Sequence, residues 1–361
     1  MKDNRNLFID VLRGLAICDM ILIHYANIFP RIVAKLIIYH DVALEGFLLL
    51  SGVIVGMHYL PLFEKNPMTT IKKIYLRVFK LCLIQYIMIL TISLPEFILW
   101  TGETDILNIG VFLFQSFIFS NQIGLIHILP TFFPLFILTP LFLYFLSRNL
   151  DHFLLLGSIV FFLIVQKDPY LLSYGDKTIF PVILWQVYFV IGCCLGKFVL
   201  RKGRIVPSHV MPLFIISCIM IIIGLAFRHS TSVCPWLATF MDENDVVIRR
   251  FPLNAYGLVW GALLWLFLYA SVAQFWNTFS TTKCSNWIAL FGRNSLMTFI
   301  LHVYFAKTIS FIHILFGQNT IINYLGVLMN VGVTYYLLVK YEQTRMHNKQ
   351  GCFLRMVNWM F

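Results

Sequence analysis

Charge is what this chain has least of. Only 12% of its 361 residues are charged, against roughly 25% in a soluble domain, which excludes an ordinary water-facing surface. Acidic residues are the scarcer kind, 16 against 27 Lys and Arg, for a formal net charge of +11. The cations cluster beside apolar segments and do not line one face of a soluble domain, so the charge speaks for membrane orientation and against nucleic acid. The eight cysteines, Cys18, Cys82, Cys193, Cys194, Cys218, Cys234, Cys284 and Cys352, lack metal-ligand spacing, and no metal site is read. Most lie inside apolar segments and only Cys234 falls in a loop expected outside, so no extracytoplasmic disulfide framework is available. There is no nucleophile elbow and no phosphate-binding glycine loop, which leaves a covalent serine mechanism without support. Nor is there a small-residue cleavage site after the first apolar run. Lys2 and Arg5 precede that run as they would in a signal peptide, but Arg13, Asp19 and His24 interrupt it, so it reads as a retained first helix.

What the chain has in abundance is apolar length. Hydrophobic residues make up 60%, and stretches near the roughly 20 residues needed to cross a bilayer core recur almost to the C-terminus. The expected spans are 7–29, 42–63, 74–99, 128–146, 153–166, 179–199, 210–227, 252–273, 287–316 and 320–339. The fold class is therefore all-α, a polytopic transmembrane helix bundle of about ten spans, in one domain covering 1–361. Segment 106–119 is shorter and ends in polar residues. With ten spans and a cytoplasmic N-terminus, 19 of the 27 cations fall inside; if 106–119 also crosses, the number drops to 14. Only the first arrangement has the positive-inside bias. Segment 106–119 is thus expected to be re-entrant or interfacial on the outer side, with both termini cytoplasmic, in an inner membrane. Gln122 and the 228–250 loop then face outside.

Ionisable groups within an apolar helix cost roughly 2.5–3.5 kcal/mol each on insertion scales, so their placement calls for a reason. Arg13 and His24 are 11 residues apart, and at about 100° per residue they share one helix face, separated by roughly 16 Å of rise. Asp10 and Asn27 extend the stripe at either end. One reading is a polar route from the cytoplasmic boundary toward the outer half of the membrane, with His24 as a general base. The bland reading has Arg13 snorkelling with Asp10 as its partner, and His24 hydrogen-bonded to a neighbouring helix. Glu45, at the start of the second helix, either orients His24, binds a substrate hydroxyl or is an interfacial carboxylate. Ser51, Gly52 and Gly56 permit close helix packing. His302 is read as a core histidine satisfied by a carbonyl or as an alternative base. His127 is a candidate for an outer substrate mouth. The cations Lys72, Lys73, Arg77 and Lys80 form a basic inner rim.

The stretch FIDVLRGLAICDMILIHY, 8–25, resembles the opening motif of the transmembrane acyltransferase superfamily, the acyltransferase-3 group. FLLLSG, 47–52, and GRNSLMTFILH, 292–302, are similar to that superfamily's second and late helices. Within it, the glucan-biosynthesis protein C family, which succinylates osmoregulated periplasmic glucans, is the most similar. The resemblance rests on Glu45 before FLLLSG, on LPTFFPLFILTPLFLYFL, 129–146, and on WQVYFVIGCCLG, 185–196. The chain departs from that family in the histidine ending its late helix and in having His127 where a carboxylate is expected. The resemblance implies transfer of an acyl group, succinyl or acetyl, from a cytoplasmic coenzyme A thioester to a hydroxyl of an extracytoplasmic glycan, with no bound cofactor. It implies His24 as base and Arg13 as a donor-side or structural cation; beside it, the basic rim suits an anionic donor, with Lys73, Arg77 and Lys80 as candidate donor-binding residues, although positive-inside orientation alone would produce the same cations. The partners would be acyl-coenzyme A, the glycan and the lipid bilayer. The competing readings are a transporter or flippase for a small metabolite or lipid-linked sugar, for which no inverted repeat is visible, and a non-catalytic scaffold, which leaves the cost of His24 unexplained.

Overall fold

A computed structural model describes residues 6–26, 29–30, 33–34, 37, 42–118, 124–168, 182–202, 210–233, 253–316 and 320–347. In chain order its helices are α1 Leu7–His24, α2 Ala43–Lys65, α3 Pro67–Thr101, α4 Ile106–Phe117, α5 Phe132–Ser147, α6 Asp151–Val165, α7 Val182–Lys202, α8 Met211–Val233, α9 Ala255–Gln274, α10 Lys283–Arg293, α11 Ser295–Phe316 and α12 Thr320–His347. A 3₁₀ segment, Gly124–Thr131, leads into α5. No strand is found among the described residues, and the all-α membrane bundle expected from composition is the architecture observed.

The helices start where short polar side chains supply acceptors for otherwise unmet N–H groups. Asn6 accepts from Phe8 N, Asn66 from Thr69 N, Asn254 from Gly257 N and Thr282 from Ser285 N. A helix covers at least part of each expected span. Five of them, Ala43–Lys65, Pro67–Thr101, Ile128–Ser147, Ala255–Gln274 and Ser295–Ile312, are long and apolar enough to cross a membrane on length and composition; other apolar helices among the described residues are shorter. The single span expected over 287–316 is two helices, α10 and α11, divided at Asn294. Asn294 turns its amide back to the Leu290 carbonyl and out to Glu342, which ends α10 locally. Within 106–119, α4 has 12 residues and reaches about 18 Å, short of the roughly 30 Å hydrocarbon core.

Large apolar side chains remain outside the bundle, among them Ile222 (64% exposed) on α8 and Leu328 (69%) on α12. Such continuous apolar surface fits lipid as the surrounding solvent. Inside, van der Waals packing between helices has to replace the hydrophobic drive. One close seam joins α2 to α7. A Cβ on Gly52 would run into the Phe189 carbonyl oxygen, and one on Gly56 into that of Cys193. From the other side, Gly192 and Gly196 meet the Leu49 and Val53 carbonyls. Both helices thus present a Gly-x-x-x-Gly ridge, and the backbones touch. A second seam seats α1 on α10, where Gly14 faces the Ile288 carbonyl and Gly292 that of Asp10.

These seams fix α1 and α2, the helices that carry the site. Gly52→Ala is expected to destabilise the detergent-purified protein by about 1–3 kcal/mol, because backbone atoms cannot yield. Gly157→Ala on α6, where nothing lies within 4 Å, is expected to stabilise it by up to about 1 kcal/mol. Thermal unfolding of the two variants in one detergent is the check, and equal effects would remove the seam's role.

Candidate active site

The polar face of α1 meets a different partner at each level. Asp10, nearly buried, lies 3.9 Å from the Arg293 guanidinium. Arg13 donates to the Ser295 hydroxyl. Higher up, His24 Nδ1 is 2.8 Å from His302 Nε2. The stripe inferred from spacing therefore turns toward the junction of α10 and α11 and the first half of α11. Asp19, at another angle, accepts the Val42 N–H at 2.7 Å, while the Trp265 indole donates to the Val42 carbonyl at 2.7 Å. Both main-chain groups of the residue before α2 are thereby gripped by side chains from α1 and α9. In the sequence, Asp19 signals only an interruption of the first apolar run. Its part in fixing α2 depends on a tertiary contact that sequence spacing does not reveal.

The two histidine rings are inclined by 7° with centroids 5.0 Å apart. Combined with the 2.8 Å nitrogen separation, this puts them edge to edge in a shared plane, the geometry of a hydrogen bond in the ring plane. His302 is fully buried, and the Phe299 ring stands edge-on against it at 5.4 Å. A buried polar group beside the pair ties the same helices together. Asn330 on α12 donates to the Tyr25 hydroxyl at 3.0 Å and approaches the His302 carbonyl at 3.4 Å, and Thr334 backs its side-chain oxygen at 3.4 Å. Neither Asn330 nor Thr334 stands out in the sequence, since isolated amides and hydroxyls are common in membrane helices.

On the side of the pair toward Arg13 lies a cavity of about 70 Å³. Arg13 and Arg77 both line it, with Ser51 and Ser295 as further polar groups and Phe136 beneath Arg77, whose guanidinium carbon is 4.9 Å from the ring centroid. Met20 and Phe299 also line it, one turn before His24 and His302 on their own helices. Two guanidiniums lining one cavity have the chemistry to hold an anion. Lys73 and Lys72 are exposed along α3 and Lys80 is half-buried, so of the basic rim only Arg77 is a cavity residue.

Glu45 is 1% exposed, yet its carboxylate stands beside Gly261 of α9 and the Tyr188 hydroxyl of α7. His302 faces His24 Nδ1, while Glu45 on α2 lies beside the gap left by the missing side chain of Gly261. The backbone of His127 belongs to the 3₁₀ segment, and its side chain lies outside the described part, as does Asn27 altogether. A charged pair that sequence reasoning passed over, Glu96 and Lys307, bridges α3 and α11 with Nζ 2.6 and 2.8 Å from the two carboxylate oxygens.

No curated protein and no solved structure matches the chain. A family model described as the OpgC protein matches residues 5–346, from just before α1 almost to the end of α12. The chain with this polar first helix is a membrane protein and belongs to the OpgC protein family.

Proposed function

We propose that this protein moves an acyl group, succinyl or acetyl, from a cytoplasmic coenzyme A thioester to a hydroxyl of an extracytoplasmic glycan such as a periplasmic glucan. Family membership supports a membrane acyltransferase of glucan modification. The observation that carries the finer reading is the alignment along α1 of a two-arginine cavity and, further up the same face, a paired histidine. Arg13 and Arg77 would hold an anionic part of the donor. From Arg13 to His24 the helix rises roughly 16 Å, a separation that suits an extended pantetheine arm between its phosphate and its thioester.

In this reading His24 takes the proton of the acceptor hydroxyl as its oxygen attacks the thioester carbonyl. The tetrahedral intermediate then collapses, the carbon–sulfur bond breaks, and the thiolate leaves with the proton returned from His24. Neither step calls for a resident cofactor. A hydroxyl is a poor nucleophile at neutral pH, and a positioned base contributes on the order of 10²–10⁴ in rate. Imidazole suits the task because its reference pKa of about 6.5 lies near working pH. The excess of cations in the loops read as sharing a side with the N-terminus, 19 of 27, supports a donor arriving from the cytoplasm, with both termini on that side and an inner-membrane location.

Three outcomes test the reading. His24→Gln, which keeps hydrogen bonding but cannot accept the proton, is expected to lower turnover by about 10²–10⁴-fold at unchanged membrane abundance; turnover is measured by mass spectrometry of glycans incubated with purified protein and acyl-coenzyme A. Wild-type turnover in that variant would move the base elsewhere. Arg77→Ala is expected to weaken binding of acetyl- and succinyl-coenzyme A in detergent by about tenfold to hundredfold, while Lys72→Ala at the exposed rim changes it by less than about fivefold. Equal losses would make the effect one of general charge. Asn348→Cys should resist membrane-impermeant thiol reagents in intact cells and react in inverted membranes, and labelling from outside would reverse the orientation.

A further inference from the structure

We propose that Gln85 recognises the pantetheine arm of the donor, its side-chain amide pairing with the amide of the arm that lies nearest the sulfur. This role rests on acyl-coenzyme A being the donor and adds the residue that tells its arm from a plain alkyl chain.

Gln85 lies on α3 about two turns beyond Arg77. Its side chain is 0% exposed, and neither its amide nitrogen nor its amide oxygen has a hydrogen-bond partner among the described residues. An amide buried with both ends unmet is destabilising, and an apolar side chain in its place would avoid the penalty. Neighbours on the same helix locate it. Leu81, one turn earlier, lines the two-arginine cavity. Leu81, Gln85 and Met88 are all buried, whereas Phe79 and Leu90 are exposed, so the face of α3 that brings Arg77 and Leu81 to the cavity continues within the bundle at Gln85. A second unmet group belongs to the same surroundings. The Thr131 hydroxyl, also 0% exposed and without a partner among the described residues, lies between Leu129 and Phe132, which line the cavity.

In the orientation proposed above, α1 and α3 both run outward from the cytoplasmic side, past a cavity that Arg13 and Met20 line from one helix and Arg77 and Leu81 from the other. Measured from the arginines at 1.5 Å per residue, Gln85 is roughly 12 Å along α3 and His24 roughly 16 Å along α1. The arm of coenzyme A has matching intervals. Its second amide is about ten bonds from the phosphorus and its sulfur about thirteen; at the roughly 3.3–3.6 Å that an extended chain gains per three bonds, they stand about 10–12 Å and about 14–16 Å along the arm. A phosphate at the arginines thus brings the second amide to Gln85 and the thioester to the level of His24. The chemistry agrees with the distance. A primary amide offers N–H and C=O side by side, so Gln85 donates to the carbonyl of the arm's amide and accepts its N–H. A phosphate or carboxylate would use only the donor. The cavity of about 70 Å³ is smaller than the arm, and Leu81 and the unbranched Met20 shift as the arm enters.

The test compares binding of acetyl-coenzyme A, to purified full-length protein in detergent, with binding of an analogue whose amide nearest the sulfur is replaced by two methylene groups. Wild type is expected to prefer acetyl-coenzyme A by about 10–100-fold, because two hydrogen bonds form with it and not with the analogue. Gln85→Met keeps the length of the side chain and removes both bonds. Its preference is expected to shrink to within about threefold, with affinity for the analogue changed by less than about threefold. A wild-type preference retained in Gln85→Met, as a buried water at Gln85 would give, overturns the proposal, and so does equal weakening of both ligands, as a structural role would give. If Gln85→Met does not accumulate, wild type alone decides: a preference below about fivefold overturns the proposal and a larger one supports it. Failure of wild type to bind acetyl-coenzyme A at millimolar concentration refutes the donor reading itself, whereas binding without the preference refutes only the role of Gln85.

Discussion

A polar side chain in the hydrocarbon region finds partners only within the protein, and most of what surrounds α1 follows from that. An intramembrane Asp or Arg at the helix centre costs about 2.5–3.5 kcal/mol on insertion scales, and α1 carries Asp10, Arg13, Asp19 and His24 within 15 residues. Their partners come from separate places in the chain: Arg293, Ser295, the Val42 N–H and His302. The glycine seams bring the backbones close enough for short side chains such as Ser295 to serve. Gly14 and Gly292, which let α1 lie against α10, sit at the same level as Asp10 and Arg13. The packing and the polar contacts are thus one arrangement, in which small residues set the distance and polar residues set the register.

The parts legible in the sequence were those with a strong local cause. Apolar length marks helices wherever lipid is the solvent. Gly52 and Gly56 announced a packing ridge, but the matching ridge of Gly192 and Gly196 drew notice only as part of a family-like string, because a seam is a property of two helices. The break at Asn294 was hidden by hydropathy averaging, which passes over a kink when apolar residues resume at once. In the site, Arg13 and His24 stood out because charge in an apolar run is rare, and their spacing correctly placed them on one face. The partners did not. His302 looked like a core histidine resting on a carbonyl, yet its Nδ1 makes no hydrogen bond among the described residues. What spacing cannot say is that its other nitrogen reaches a residue 278 positions away. The same holds for Arg77, one cation of four in a basic segment until α3 is seen to turn it, and not Lys72 or Lys73, into the cavity with Arg13.

The contrast between the two ends of α1 is physical. At its start the groups are charged and meet opposite charge or a hydroxyl near the helix boundary, an arrangement that tolerates water. At its end the contact is between two imidazole rings, one of them fully buried, in a medium that penalises charge.

The distance along the chain between the two histidines sets a clock on biogenesis. His24 and His302 are 278 residues apart, and at about 5–20 residues per second roughly 15–55 s pass between their syntheses. Throughout that interval α1 has left the ribosome with its histidine unmatched, and α10, which seats it, does not yet exist. The nascent first helix has an early partner in α2, through Asp19 and the Val42 N–H, but its contact with α11 waits for the last part of synthesis. A chain cut short before α11 leaves an intact first helix in the membrane without the contact between His24 and His302.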